Sequence, residues 1–180
     1  MVRIMGICGT WGLESANGRM LEIILALCEQ QGAEICVWDL ASTALPFVGE
    51  PGCWDHAAVK EYQQMATDAD AFILSSPEYH GTMSGVMKNQ MDWITNDIAR
   101  GKPFGLVSTL GGASNSNTLN HMRISIRNLH GWVIPEQVAV PHVKDAFDDD
   151  GALNDEAMQE RVEGFSTALV AAAELLASTR

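Results

Sequence analysis

The feature that most constrains this chain is a fivefold alternation of short apolar runs with amphipathic stretches. Residues 2–8, 34–40, 71–75, 103–109 and 132–140 read as strands, compact runs bounded by glycine, proline or polar residues. The last is interrupted near Pro135, and the third is expected to stop at Pro77. Residues 15–31, 55–67, 84–98, 114–129 and 154–178 carry apolar residues at helical spacing. In the first of these, Met20, Ile23, Ile24, Leu27 and Cys28 share one face. Gly32 is suited to close that helix, and Asn154 to cap the last. Strands alternating with helices call for a parallel sheet covered on both faces, joined by right-handed crossovers.

Five such units in 180 residues match the strand order 2-1-3-4-5. The expectation is an α/β, flavodoxin-like three-layer sandwich with a five-stranded parallel sheet, one domain over 1–180. No internal repeat, linker or low-complexity tract interrupts it, and the length can bury a core without disulfides. In open sheets of this kind, ligands sit beyond the carboxyl ends of the strands at the point where strand order reverses. Here that point lies between the first and third strands, so the loops to inspect are 9–17, 76–83 and 110–117.

The first loop reads Gly9-Thr10-Trp11-Gly12-Leu13-Glu14-Ser15-Ala16-Asn17. It leads into a helix whose unpaired N–H groups and dipole suit a phosphate, with Thr10, Ser15 and Asn17 as side-chain donors. A plain strand-to-helix turn capped by Ser15 fits the same residues. Gly6, Gly9 and Gly12 are evenly spaced and Asp39 ends the next strand, but the G-x-G-x-x-G order of a dinucleotide site is absent.

The second loop is more specific. Pro77-Glu78-Tyr79-His80-Gly81 directly follows a buried strand, and Gly85-Val86-Met87-Lys88-Asn89-Gln90-Met91-Asp92-Trp93 comes next. Proline, an aromatic and glycine make a tight turn with exposed amides, and Tyr79 and His80 can lie along a planar ring. The third loop, Ser108-Thr109-Leu110-Gly111-Gly112-Ala113, offers a glycine pair at which backbone can approach a ligand.

These segments resemble the NAD(P)H-dependent FMN reductases, a flavodoxin-like family that includes quinone, azo-dye and chromate reductases. Its members show P-E-Y-N/H-G followed by G-x-x-K-N-x-x-D-W, which residues 77–81 and 85–93 match. The likeness runs through nearly the whole chain, with Asp39-Leu40 and Leu45-Pro46 resembling the second strand and its proline-bearing loop. The resemblance implies an FMN site built from Gly9, Thr10, Ser15, Ala16, Asn17, Pro77, Glu78, Tyr79, His80, Gly81, Ser108, Thr109, Gly111 and Gly112. It implies NADPH or NADH as electron donor, hydride transfer to the flavin, and delivery to free flavin, quinone or another small acceptor. Flavin carries that chemistry, so no protein residue is assigned a catalytic role. His80 is a ring contact or a tuning and relay group. Homodimers or homotetramers are implied as well.

One departure stands out. The family's phosphate loop reads G-S-x-R-x-x-S-x-N, and Gly12 occupies the arginine position, with Glu14 close by. Losing that cation removes charge-assisted hydrogen bonds, of order 1.5–3 kcal/mol. Arg19, one turn into the helix, is the candidate to compensate.

The net charge of −12 disfavours nucleic acid and anionic membranes as partners. No apolar run reaches the ~18 residues of a membrane span, and no signal peptide precedes the first strand, so a cytoplasmic location is expected. Cys8, Cys28, Cys36 and Cys53 form no C-x-x-C pair, no Cys/His group has metal spacing, and reduced thiols are expected. Met83, Met87 and Met91 form a stripe that is either core or a subunit interface. Lys88 and Asp92 pair with each other or across subunits. Acidity leaves a flavodoxin-type electron carrier open beside the reductase, and the missing arginine leaves open a scaffold without FMN.

Overall fold

The computed structural model describes residues 1–113 and 116–179. Its strands are β1 (Arg3–Cys8), β2 (Glu34–Val37), β3 (Ala71–Tyr79), β4 (Thr82–Met83), β5 (Pro103–Thr109) and β6 (Trp132–Val140). Its α-helices are α1 (Ala16–Gln30), α2 (Ala57–Asp68), α3 (Gly85–Asp92), α4 (Asn96–Ala99), α5 (Ser116–Asn128) and α6 (Glu156–Ala177). The sheet runs β2-β1-β3-β5-β6, all parallel, with β4 antiparallel on the end of β3. With β4 set aside, this is the expected order.

Two apolar layers sandwich the sheet. One packs Tyr62 of α2, Met87 of α3 and Met122 of α5 against Phe72 and Phe104. The other packs Met20 and Ile24 of α1 and Phe165 and Leu169 of α6 against Ile4 and Ile73. The methionine stripe is core: Met83, Met87 and Met91 are all buried in the first layer. Lys88 pairs with Asp92 one turn on.

Several boundaries differ from the sequence reading. β3 does not stop at Pro77. Pro77 aligns with Thr109 of β5, and Glu78 and Tyr79 continue into a hairpin with Met83 and Thr82. His80 (φ 53°) and Gly81 (φ 77°) form its two-residue turn, the positive φ values that a type I′ hairpin requires. The expected helix over 84–98 breaks in two. Trp93 leaves the helix with its indole donating to the Pro46 carbonyl at 2.9 Å, and Thr95 caps α4. β2 ends early because the Trp38 indole turns to the Thr43 carbonyl at 2.9 Å. Asp155, not Asn154, caps α6 by accepting from the Met158 amide at 3.1 Å. The strand pairing shifts register near Pro135, which sits on an edge strand where a missing N–H is tolerated. Ser114, the expected start of the fourth helix, lies outside the described residues.

Candidate functional site

The base of the first loop is locked before the loop begins. The Gly9 amide donates to the Ser75 carbonyl at 2.7 Å. A Cβ on Gly9 would come within 2.9 Å of Ser76 Cα, so only glycine lets β1 and β3 close up here. The Ser84 hydroxyl donates to the Gly9 carbonyl and the Gln90 amide to the Cys8 carbonyl, each at 2.6 Å. Beyond that base, the Thr10 and Ser15 hydroxyls lie 2.7 Å apart and hydrogen-bonded. Ser15 caps α1 by accepting from the Gly18 amide at 3.0 Å. The first-turn amides of Ala16 and Asn17 have no acceptor within the helix.

Asn17 takes a role the sequence did not predict. Its side chain is buried, donating to the Ser75 carbonyl at 2.8 Å and accepting from the Ser75 hydroxyl at 2.9 Å. The Thr109 hydroxyl also reaches it, at 3.4 Å. Asn17 therefore ties α1 to the ends of β3 and β5, which makes it a clamp on the loops rather than a free donor.

The second loop is bolted to α5. The Glu78 carboxylate accepts from the Thr118 amide at 3.0 Å, near the positive end of that helix. Thr82 pairs with His121 at 2.8 Å. Thr118 Oγ1 is buried with no hydrogen-bond partner among the described residues. On the third loop, the Leu110 amide donates to the Val140 carbonyl at 3.0 Å, and the His142 amide to Gly112 at 2.9 Å.

Together the loops enclose a cavity of about 170 Å³. Thr10, Ser15, Ala16 and Asn17 form one wall, Pro77, Glu78 and Tyr79 a second, and Thr109 and Gly111 a third. Gly9, His80, Gly81, Ser108 and Gly112 lie in the same loops but outside the wall. Leu110 and Val143 also line it, although neither was among the residues expected to form the site. Leu110 was signalled by its place between Thr109 and Gly111. Val143 had no local signal: it arrives from beyond β6, its amide bonded to the Leu110 carbonyl at 3.0 Å.

Among the described residues, no Lys or Arg lines this cavity. Arg19, expected to compensate for Gly12, turns away: its guanidinium lies 5.5 Å from the centre of the Phe147 ring and packs against Gly151. Glu14 folds back over Gly12, so that a Cβ at Gly12 would collide with its carboxylate.

A second cavity of about 330 Å³ adjoins the first, with Tyr79 in both walls. Trp11, Leu40, Leu45, Phe47 and Val86 make it largely apolar. Among the described residues, no group of His, Cys, Asp and Glu is arranged to hold a metal ion.

The sequence matches the NADPH-dependent FMN reductase family over residues 2–145. It is 30% identical over 171 residues to an FMN-dependent NADPH-azoreductase of Staphylococcus haemolyticus, covering 91% of each chain. It is 37% identical over 114 residues to an FMN-dependent NADPH-azoreductase of Staphylococcus aureus, covering 62% of this chain and 61% of that one. Among solved structures, a flavoenzyme NAD(P)H:(acceptor) oxidoreductase from Paracoccus denitrificans shares the fold at a TM-score of 0.82. That pair is 22% identical over 97% of this chain and 98% of the other. By the extent of these matches, the chain belongs to the NADPH-dependent FMN reductase family.

Proposed function

We propose that the cavity between the three loop tips holds the FMN through which this chain passes electrons from a nicotinamide to a small acceptor. Family membership makes the chain an FMN-dependent NAD(P)H oxidoreductase. The observation that carries the placement is the donor set at the head of α1. The Thr10 and Ser15 hydroxyls and the first-turn amides converge where a phosphate meets a helix N-terminus. Pro77, Tyr79 and Leu110 supply the apolar surface that a flat ring needs. The residues present therefore fit FMN, with Gly9, His80, Gly81, Ser108 and Gly112 shaping the loops behind the wall.

Bound FMN supplies the redox chemistry, taking a hydride from the nicotinamide and giving electrons to the acceptor. The chain's own residues bind and orient. Ser84, Gln90 and Asn17 hold the first loop, and Glu78 fixes the ring-side hairpin against α5.

The acceptors we propose are free flavin, quinones and azo compounds, because the cavity beside Tyr79 is apolar and aromatic-lined. The same region exposes Trp11, Phe47, Val48 and Trp54, which supports association into a homodimer or homotetramer. We also read residues 1–180 as one FMN-binding domain. Four free cysteines suit the reducing cytoplasm, and no helix among the described residues is long and apolar enough to cross a membrane.

The test is spectroscopic. Protein mixed with FMN and separated from excess flavin is expected to show flavin absorption that bleaches anaerobically on adding NADPH and returns with a quinone. Failure to take up FMN would overturn the placement. Uptake without bleaching by NADPH or NADH would overturn the donor assignment.

A further inference from the structure

The larger cavity beside Tyr79 is built without charge. Among the described residues, no Asp, Glu, Lys, Arg or His lines it. Trp11, Phe47 and Tyr79 give the wall three aromatic side chains, each more than half exposed, so a ligand has their faces to cover. The polar members of the wall are largely spent. The Ser84 hydroxyl donates to the Gly9 carbonyl and accepts from the Met87 amide. The Asn89 carboxamide donates to the Leu45 carbonyl at 3.1 Å. What remains for a ligand is neutral, the rest of that carboxamide and the Tyr79 hydroxyl. Lys88, the one cation of α3, is paired with Asp92 and lies outside the wall. The net charge of −12 sets the surrounding field against anions as well.

From this we infer that the cavity is the acceptor subsite and that it selects acceptors by charge. It takes uncharged planar aromatic compounds and refuses those whose ring bears a sulfonate or carboxylate. The inference rests on the FMN placement proposed above, since Tyr79 stands in both walls and a ring held here borders the flavin cavity. At about 330 Å³ the space is of the size that ligand pockets have. The aromatic side chains reward a planar ring by buried area and stacking. An anion entering the same space gives up water and meets no cation in return. Val48 and Trp54, also exposed in this region, lie outside the wall and stay available for association.

The experiment uses two ligands of nearly the same shape, azobenzene sulfonamide and azobenzene sulfonate, which differ by one charge near neutral pH. FMN-loaded protein is titrated with each in the absence of nicotinamide, where neither is reduced, and binding is followed in the flavin spectrum. The sulfonamide is expected to bind at least about tenfold more tightly, because the sulfonate loses water for no partner. Phe47→Lys puts a cation on the exposed side of the wall, and Val86→Lys puts one on α3. Either is expected to bring the sulfonate to within about threefold of the sulfonamide. The kcat/KM values with NADPH are expected to follow the same order in all three proteins. Equal wild-type affinities, no binding of either compound, or a ratio that neither lysine moves would overturn the inference. Failure of the protein to take up FMN is a separate result, seen before any azo compound is added; it would overturn the flavin placement and the acceptor subsite with it.

Discussion

The Ser84 hydroxyl donates to the Gly9 carbonyl at 2.6 Å, joining the start of α3 to the base of the 9–17 loop. The same oxygen accepts from the Met87 amide at 3.0 Å and so also caps α3. Gln90, one and a half turns further, holds the Cys8 carbonyl. With both carbonyls engaged toward α3, the end of β1 and the start of the 9–17 loop are pinned to that helix.

Replacing Ser84 with alanine removes a cap and strands a buried carbonyl. The expected loss is about 2–3 kcal/mol of stability, read by chemical denaturation, with FMN binding weakened severalfold. Unchanged flavin affinity in the folded variant would show that the loop holds its shape without this bond.

Asn17 is expected to matter for structure more than for binding. Asn17→Ala leaves the buried Ser75 carbonyl and hydroxyl without their side-chain partner. That should cost about 1–3 kcal/mol. Asn17→Asp should cost more, because it sets a carboxylate against the Ser75 carbonyl. Thermal melts of the two variants give the order.

Lys102 is buried and donates to the carbonyls of Ala66 and Thr67 at 3.0 and 2.8 Å, at the C-terminal end of α2. Its ammonium lies 5.5 Å from the centre of the Phe72 ring. Lys102→Met keeps the apolar stem and removes the donors. About 1–3 kcal/mol is expected to go, with flavin binding intact, since α2 ends far from the cavity wall.

Burial pushes the Cys28 thiol from 9.0 up to about 11, against a smaller lowering by its hydrogen bond with Ser166. The folded pKa lies above the unfolded one, so this contribution is complete below pH 9.0 and is lost as pH rises toward about 11. The loss amounts to at most about 3 kcal/mol. Burial raises the Tyr62 hydroxyl in the same sense, adding to the alkaline decline. Cys28→Ala should be less stable at pH 7 yet show a shallower fall between pH 9 and 11, measured by urea denaturation across that range.

The strand-and-helix alternation, the sheet order and the three loops that meet around one cavity were legible in the sequence, because each rests on a local period or on a chirality rule. Even so, β3 outran its proline: Pro77 lost a donor that its place in the sheet left room to lose. The helix after the second loop broke at Trp93 because an indole found a carbonyl 47 residues away.

By itself, the sequence determined the fold, the family and most of the cavity wall. The motif at 77–93 and the loop at 9–17 are contiguous, and their chemistry is carried by neighbours in the chain. The tertiary structure alone decided what each side chain faces. It sent Arg19 to Phe147 and Asn17 into the sheet, and it brought Val143 to the cavity wall. Such outcomes depend on partners far apart in sequence. Asn17 and Ser75 are separated by 58 positions and Asn17 and Thr109 by 92, and no local window encodes either meeting. Gly12 could be read as a missing cation from the sequence, but that no Lys or Arg among the described residues lines the cavity in its stead was decided by the tertiary structure.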